Sequence, residues 1–401
     1  MLEQMIVIPT YWTWGSDNPQ GPCTGVFDHP TPLDGESTLP RLLDSLSHIA
    51  NARGLVPWGR PPLAVLVLTA TTHATLAHAA EKRVQETIAP FEEWFPIVQF
   101  TTGDLAVLHQ RLHDYRCDDL VEFFSLRSYP GARNCQLLVP YLLGATVVVA
   151  LDDDETVPVG YWERALHAVG REEEGARVLG VAGPYQDAEG SLLQPERSHT
   201  GNIFLDKSAI LNQATRALRC EDGRLVRTNM AFGGNMVLHR ELFSRVAFDP
   251  GIARGEDVDY VINARLSGLD FWFDWELVVT HLPPPAYQSS NYGKLCQDVK
   301  RFVYERAKLQ QAGVDPAQFD PYPGRFLGDD LEAQALAALQ ELATPADEAR
   351  YGTPDQVLAA AAQQTERVPR YAAATQQWAQ CLATLEHDPL LQHHWEAKLE
   401  T

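Results

Sequence analysis

Short apolar runs that alternate with amphipathic stretches are the feature that most constrains how this chain can fold. Such runs occur at residues 6–8, 64–68, 97–100, 146–151 and 178–182. Continuous apolar runs of strand length predict strands that are covered on both faces, which is typical of parallel sheets. The sequence therefore predicts at least five buried strands in one sheet.

The stretches between these runs have the spacing of helices. Residues 39–49 carry apolar side chains every three or four positions, and residues 75–88 and 132–143 also favour helices. Pro140 is expected to bend or shorten the last of these. Strands that alternate with helices predict an α/β fold with a mostly parallel central sheet and helices on both faces. In such sheets, ligands bind beyond the carboxyl ends of the strands.

The composition changes after about Gly324, where the chain becomes rich in Ala, Gln, Glu and Leu. Leu336 and Leu339, and later Trp378 and Leu382, fall at helical spacings. We therefore expect a large domain over residues 1–324 and a helical C-terminal appendage over residues 325–401. The appendage is interpreted as a packing or dimerisation element, so a homodimer formed through it is one expectation.

Charge and cysteine usage exclude several classes of protein. The formal net charge is −21, which repels a polyanion, so no nucleic-acid partner is expected. The six cysteines are scattered and form no C-x-x-C pair, a pattern typical of reduced thiols in a cytoplasmic protein. The sequence contains no apolar window of about 18 residues, so no transmembrane segment is predicted. The opening residues lack a secretory signal pattern. The expected localisation is cytoplasmic.

The most informative polar segment follows the apolar run at residues 146–151, which ends in Asp152, Asp153, Asp154 and Glu155. Adjacent carboxylates repel one another, and a divalent cation removes that cost. Carboxylate oxygens favour Mg²⁺ or Mn²⁺ over softer metals. A solvated acidic turn is the alternative interpretation. The position after a strand of a predicted parallel sheet favours metal binding.

A second acidic segment, Gly255-Glu256-Asp257, opens a predicted helix. Acids in a first helical turn are stabilised by the helix dipole, which is one interpretation. The other is a general base at the mouth of a site, because a carboxylate at a helix start can be held rigidly.

Three further features are candidates for a ligand site. His281 follows a late apolar pair and suits a metal or phosphate ligand, although a lone histidine is more often structural. Gly233 and Gly234 permit close approach of a ligand to the backbone, or form an ordinary turn. Arg133, at a predicted helix start, can pair with phosphate, with the acidic cluster, or with a surface acid.

The order of these features, rather than any one of them, resembles that of family-2-type glycosyltransferases with the GT-A fold. The resemblance covers about residues 5–285, and each motif alone is weakly specific. The matching segments, in chain order, are Ile6-Val7-Ile8-Pro9-Thr10-Tyr11, Ala132-Arg133-Asn134, Asp152-Asp153-Asp154, Gly233-Gly234-Asn235, Arg240-Glu241-Leu242-Phe243, Glu256-Asp257 and His281.

The resemblance implies a hexosyltransferase that moves a sugar from a UDP- or GDP-sugar to a hydroxyl of a sugar or small-molecule acceptor. It implies a nucleotide-sugar half over about residues 1–155 and an acceptor half over about residues 156–324. The implied roles are Mg²⁺ or Mn²⁺ binding by Asp152, Asp154 and His281; nucleotide-sugar binding by Pro9, Thr10, Tyr11, Arg133, Asp152 and Asp153; acceptor binding by Gly234, Asn235 and Glu256; and general-base catalysis of an inverting transfer by Asp257.

The sequence departs from this family where the second strand ends. Family members usually have an acidic segment there that reaches the nucleobase, but residues 68–72 read Leu-Thr-Ala-Thr-Thr. Asp104, after the third strand, is the substitute candidate for nucleotide binding. Residues 12–32, rich in Trp, Gly and Pro, are interpreted as a lid, an acceptor loop or a connection.

Three alternatives share some of these features. A retaining transferase on the same fold would use the metal site without Asp257 as a base. A sugar nucleotidyltransferase would open with a glycine-rich phosphate loop, where this chain has Pro9-Thr10-Tyr11. A non-catalytic nucleotide-sugar-binding protein would not need Asp257 at all.

Overall fold

A mixed, largely parallel sheet forms the centre of the structure, which is a computed structural model describing residues 3–15, 17–18, 26–52, 64–196, 199–219, 225–284 and 290–400. The strands are β1 (Gln4–Thr13), β2 (Thr31–Pro32), β3 (Ala64–Thr71), β4 (Ile97–Phe100), β5 (Val147–Leu151), β6 (Glu155–Thr156), β7 (Glu172–Glu173), β8 (Ala176–Arg177), β9 (Gly180–Ala182), β10 (Tyr185–Gln186), β11 (Val226–Arg227), β12 (Asn235–His239), β13 (Trp272–Phe273) and β14 (Val279–His281).

Helices surround this sheet and form the C-terminal part of the chain. They are α1 (Leu39–Ala52), α2 (Ala77–Ile88), α3 (Thr102–Asp114), α4 (Tyr129–Leu142), α5 (Tyr161–Ala168), α6 (Lys207–Ala217), α7 (Arg240–Phe243), α8 (Glu256–Leu266), α9 (Asn291–Ala312), α10 (Leu331–Leu342), α11 (Pro345–Tyr351), α12 (Pro354–Gln364), α13 (Val368–Glu386) and α14 (Pro389–Glu400). Short 3₁₀ helices lie at Ala74–Leu76, Ala89–Phe91, Asp118–Phe123, Pro316–Phe319, Gly324–Leu327 and Thr365–Arg367.

Within the described residues, the main sheet has nine strands, ordered β11-β13-β9-β12-β5-β1-β3-β4, with β2 beside β1. The strands β5, β1, β3 and β4 run parallel, whereas β12 is antiparallel to both of its neighbours. A smaller sheet, ordered β10-β14-β6, lies beyond the end of β5. The predicted mostly parallel sheet is therefore confirmed, with antiparallel strands in its second half.

Alternate residues of the central strands pack into two separate hydrophobic layers. Met5 and Val7 of β1 belong to one layer, and Ile6 and Ile8 belong to the other. Residues on successive positions of a strand point to opposite faces, so a strand that is apolar throughout must be covered on both sides. Helices α1, α2 and α5 cover one face, and α3, α4, α8 and α9 cover the other. This confirms the predicted helices on both faces.

The C-terminal helices continue the second layer. Trp378 of α13 is fully buried and donates a hydrogen bond from Nε1 to the carbonyl oxygen of Phe243, 3.0 Å away. Trp395 of α14 stacks on Phe100 of β4, with ring centroids 5.6 Å apart. The predicted helical C-terminal part is confirmed, and it packs on the same core as the sheet. The domain boundary at residue 324 stays a prediction.

Several expectations about local structure can now be compared with the elements. Helix α4 begins three residues before the predicted start, because the Ser128 side chain accepts a hydrogen bond from the Gly131 amide and Pro130 suits a first turn. The helix continues through Pro140 to its end at Leu142. Cys117 and Cys135 are free thiols, as are Cys296 and Cys381. Cys23 and Cys220 lie outside the described residues.

None of the helices in the part of the chain that the structure describes is long and apolar enough to cross a membrane. Parts of the predicted lid or acceptor loop, at residues 16 and 19–25, lie outside the described residues.

Candidate active site

A cleft of about 870 Å³ opens where the carboxyl ends of β1 and β5 meet the start of α8. Its walls include Tyr11 from β1, the acidic cluster Asp152–Asp154 after β5, and His281 at the end of β14. Arg133 and Asp257 also line it. This is the edge at which α/β sheets bind ligands. The structure therefore brings together most of the residues that the sequence analysis selected.

Strand pairing positions His281 against the acidic cluster. In the small sheet, β14 is antiparallel to β6, and the register pairs His281 with Glu155. As a result, His281 Nε2 lies 3.3 Å from Asp154 Oδ2. The amide of Leu282 also donates a hydrogen bond to the Asp154 carbonyl oxygen, at 2.7 Å. Two residues that are far apart in the sequence are thus fixed side by side by backbone pairing.

The charged forms of the carboxyl groups in this cluster are destabilised by burial and by one another. Burial, with Asp154 beside it, raises the pKa of Asp153 well above its usual value. Burial and the neighbouring Asp152 and Asp154 raise the pKa of Glu155 in the same way. Burial also raises the pKa of Asp152, although Arg133 opposes this. Asp153 Oδ2 has no hydrogen-bond partner within the described residues. The cluster is therefore short of positive charge.

The neighbouring carboxylates stabilise the charged form of His281, whereas they destabilise the charged forms of one another. Burial alone would lower its pKa, but the contact with the Asp154 carboxylate outweighs burial and raises it. Its ring also stacks on Tyr185, with centroids 5.1 Å apart. Tyr185 in turn accepts a hydrogen bond from the Gly234 amide, at 2.7 Å. The imidazole is thus held between an aromatic ring and a carboxylate.

Arg133 joins the acidic cluster to the second acidic segment. Its Nη2 lies 2.9 Å from Asp152 Oδ1, and its Nε donates to Glu256 Oε1 at 3.2 Å. The Arg133 side chain is only 3% exposed, so both ion pairs are largely shielded from water. Burial and the neighbouring Asp257 raise the pKa of Glu256 to about 7, against the opposing effect of Arg133. The guanidinium group therefore fixes the distance between the two acidic segments.

Asp257 is held at the start of α8 by two backbone hydrogen bonds. The Gly233 amide donates to Oδ2 at 3.1 Å, and the Val258 amide donates to Oδ1 at 2.8 Å. Gly255, the residue before the helix, has φ +77°, a conformation that favours glycine. A carboxylate fixed in this way keeps one orientation toward the cleft, as a general base requires.

Gly233 and Gly234 allow Arg133 and the acidic cluster to lie close to the backbone. A Cβ atom on Gly233 would lie 2.6 Å from Arg133 Nη2. A Cβ atom on Gly234 would lie 2.3 Å from Glu155 Oε1 and 2.7 Å from Asp152 Cγ. Both positions therefore exclude a side chain, which explains the Gly-Gly pair by packing within the site itself.

We expect Gly234→Ala to destabilise the protein by about 1–3 kcal/mol and to disturb the acidic cluster, because the added methyl group overlaps two carboxyl groups. Gly160→Ala is the matched control, since a Cβ atom there meets nothing within 4 Å. Denaturant unfolding of both variants measures the difference. Equal stabilities of the two variants would contradict the packing role of Gly234.

Some predicted site residues lie elsewhere. Asn235 is fully buried: its Nδ2 donates to the Leu277 carbonyl at 2.6 Å, and its Oδ1 accepts from Tyr161 at 2.8 Å. Its amide is therefore committed to the fold and does not line the cleft, which argues against acceptor binding by this side chain. Gly234, Pro9 and Thr10 lie behind the cleft wall rather than in it.

Asp104 is the clearest departure from the predicted site. Its carboxylate caps α3 by accepting from the Thr101 amide at 2.7 Å. It also contacts Lys398 Nζ at 2.7 Å and His394 Nε2 at 2.6 Å, both on α14. Asp104 is not among the residues that line the cleft. The carboxylate thus fastens the last helix to α3, and nucleotide binding by Asp104 stays a prediction.

Several cleft residues were not selected from the sequence. They are Asp28, His29, Tyr129, Tyr185, Lys207, Arg254, Lys294, Asp298 and Arg301. Arg254 directly precedes the Gly255-Glu256-Asp257 segment, and Asp28 and His29 belong to residues 12–32, which were interpreted as a lid, an acceptor loop or a connection. The other residues are not part of a motif, and the folded chain brings them to the cleft.

The residues present fit a divalent cation in part. Within the described residues, no group of three or more His, Cys, Asp or Glu side chains forms a complete metal site. Asp154 and His281 offer one oxygen and one nitrogen atom 3.3 Å apart. Neighbouring ligands of an octahedral ion, each about 2.1 Å from it, are separated by about 3.0 Å. Magnesium commonly takes only one or two protein ligands and completes its shell with substrate phosphates and water.

Comparison with known proteins gives only general likenesses. No protein-family model matches the sequence, and no curated protein matches it. A mannosyltransferase, PcManGT from Pyrobaculum calidifontis in complex with GDP-Man and Mn²⁺, has a similar structure with a TM-score of 0.42 and 16% identity, over 94% of this chain and 86% of that one.

Two further solved structures are also similar. TarS from S. aureus matches with a TM-score of 0.34 and 11% identity over 94% of this chain, which spans 55% of the TarS chain. A mycobacterial protein matches with a TM-score of 0.37 and 15% identity, over 78% of this chain and 75% of that one. Likenesses at this level establish neither a family nor a substrate for this chain.

Proposed function

We propose that this chain is a glycosyltransferase that uses a divalent cation, Mg²⁺ or Mn²⁺, to move a sugar from a UDP- or GDP-sugar to an acceptor hydroxyl group. The observation that carries the proposal is the contact of His281 with Asp154 in the same cleft that contains Asp257. A metal-and-diphosphate site and a fixed carboxylate, facing one cavity, are the two parts that such a transfer needs.

The donor side of the cleft consists of the acidic cluster, His281 and Arg133. A bound divalent cation would supply positive charge to the diphosphate as the sugar–phosphate bond breaks. Asp154 and His281 would hold that cation, and Asp152 and Asp153 would lie against the nucleotide-sugar. The raised pKa values of Asp152 and Asp153 support this role, because a cation would offset both the burial and the repulsion by neighbouring acids that raise them.

The acceptor side is formed by the start of α8. Asp257 would accept the proton of the attacking hydroxyl group, and Glu256 would lie beside the acceptor. The two backbone hydrogen bonds to Asp257 support this role, because they fix the carboxylate without neutralising it. An attack from this side, opposite the diphosphate, would invert the anomeric configuration. A retaining transferase would need no base at Asp257, so the anomer of the product distinguishes the two mechanisms.

A thermal-unfolding screen tests the proposed donor and cation. UDP, GDP and their hexose conjugates are added with Mn²⁺, with Mg²⁺ and with a chelator. A ligand at about 100 times its dissociation constant stabilises the folded state by about 2.7 kcal/mol. We expect at least one nucleotide-sugar to raise the unfolding temperature only when a divalent cation is present. If none of them does so with either metal, the proposal is wrong.

A further inference from the structure

The cleft also contains a group of positive side chains that the proposed transfer does not use. This cationic group consists of Lys207, Arg254, Lys294 and Arg301, all of which line the cleft. Lys207 begins α6, whereas Lys294 and Arg301 lie on the first half of α9. Separate segments of the chain therefore converge on one place with the same sign of charge.

The acidic partners of the cationic group are too few to neutralise it. Lys207 Nζ lies 2.7 Å from Asp298 Oδ2, and Arg254 Nη1 lies 3.0 Å from Asp298 Oδ1. Arg254 Nε also lies 2.9 Å from Asp28 Oδ2, and Lys294 lowers the pKa of that same carboxyl group. With Glu305, which lies 3.9 Å from Arg301, three carboxylates face these four cations, which leaves one positive charge in excess.

Burial makes this excess of positive charge costly. The Arg301 side chain is 3% exposed, and its Nε has no hydrogen-bond partner within the described residues. The acid nearest to that nitrogen is Glu305, at 3.9 Å, and burial raises the pKa of Glu305 to about 8. Burial also lowers the pKa of Lys207 to about 8, despite the contact with Asp298. Buried cations without enough counter-charge are poised to bind an anion.

The cationic group lies next to the acceptor side of the cleft. Arg254 is three residues before Asp257 in the sequence, and Arg301 lies against Gly255. A Cβ atom on Gly255 would lie 2.1 Å from Arg301 Nη1, so only glycine lets this guanidinium group reach the start of α8. An anion held here would therefore lie close to the proposed base.

We propose that the cationic group binds an anionic substituent, a phosphate or a carboxylate, of the acceptor. This inference rests on the proposed function and narrows its acceptor to a negatively charged molecule. The chain has a net charge of −21, so a local positive patch favours the entry of an anionic acceptor. The donor diphosphate is the other anion that the proposed function would bring to the cleft, and the experiment must separate the two.

The first test measures binding of inorganic phosphate and of glycerol 3-phosphate by calorimetry, in chelator and without nucleotide. We expect both to bind, with glycerol as the neutral comparison that does not. Lys207→Met should weaken phosphate binding about tenfold or more, because hydrogen bonds to charged groups contribute about 1.5–3 kcal/mol. Lys294→Met is the second variant, so that a folding defect in one does not decide the result.

Lys82→Met is the matched control, since Lys82 lies on α2, is 74% exposed and is not part of the cleft. It removes the same charge and should leave phosphate binding unchanged. Absence of phosphate binding, or equal affinities in Lys207→Met and Lys82→Met, would overturn the inference.

The second test repeats the titration with UDP or GDP and Mn²⁺ already bound. Phosphate that still binds supports an acceptor subsite separate from the donor. Phosphate displaced by the nucleotide assigns the cationic group to the donor diphosphate and overturns the inference, while leaving the proposed function intact. If no nucleotide binds with metal, the proposed function fails together with the assignment to an acceptor, although the first test still shows whether the cationic group binds anions.

Discussion

Asp257→Asn is expected to lower sugar transfer by about 10²–10⁴-fold while leaving metal-dependent nucleotide binding unchanged. This is the range in which a positioned general base contributes to catalysis. The amide of asparagine keeps the size of the carboxylate, but its single oxygen can accept from the Gly233 amide or from the Val258 amide, not from both. The substitution therefore removes the proton acceptor together with one of the two backbone hydrogen bonds. Single-turnover transfer and calorimetric nucleotide binding measure the two effects separately.

Two comparisons sharpen this result. Asp329→Asn changes an exposed acid away from the cleft, and it should keep full activity. Glu256→Gln tests the neighbouring acid, whose raised pKa of about 7 makes it the competing base. Full turnover by Asp257→Asn would remove Asp257 from the chemistry. If Glu256→Gln is then inactive, the base is Glu256, and if the product retains its anomeric configuration, no base is needed.

Asp154→Ala is expected to abolish both metal-dependent nucleotide binding and transfer. The substitution removes the carboxylate that contacts His281, and with it one of the two proposed protein ligands of the cation. Mutation of a residue that only hydrogen-bonds a metal ligand already lowers metal affinity by about 10–100-fold. The loss of a ligand itself should therefore exceed about 100-fold in the metal concentration needed for nucleotide binding. Titration of nucleotide binding against Mn²⁺ measures this shift.

The comparison of Asp154→Ala with Asp257→Asn separates loss of cation binding from loss of the proposed base. Asp154→Ala should lose nucleotide binding, whereas Asp257→Asn should keep it, because only Asp154 is proposed to hold the cation. Asp329→Ala is the control for general loss of negative charge. An Asp154→Ala protein that binds nucleotide-sugar with unchanged metal dependence would show that the cation, if one is used, binds elsewhere.

The buried strands and the acidic cluster were predictable because they depend on local patterns. A strand that is apolar at every position, such as β5, must be covered on both faces, whatever the rest of the chain does. The acids that follow it must then lie at the carboxyl edge of the sheet, where the cleft is found. The start of α8 was predictable for the same reason, since acids in the first turn of a helix are a local signal.

Helix α9 shows where such patterns fail. It is 22 residues long, yet its charged residues obscured any apolar stripe, and the sequence analysis assigned no element to it. In the structure Lys308 is buried and lies 2.7 Å from Asp259 and 2.6 Å from Asp249. Buried charges are tolerated only when they are paired. Those partners are about 50 residues away in sequence, so only the folded chain explains why these charges are inside.

The candidate site also contains features that local sequence patterns predict and features that only the folded chain explains. The sequence by itself determined where Asp152–Asp154 and Asp257 lie, because their positions follow from a single strand and a single helix. Tertiary structure alone decided that His281 meets Asp154, through the pairing of β14 with β6. It also decided that Asp104 contacts His394 and Lys398 and so fastens α14 to α3. The physical reason is that a side chain's role depends on which groups neutralise it, and those groups come from distant segments of the chain.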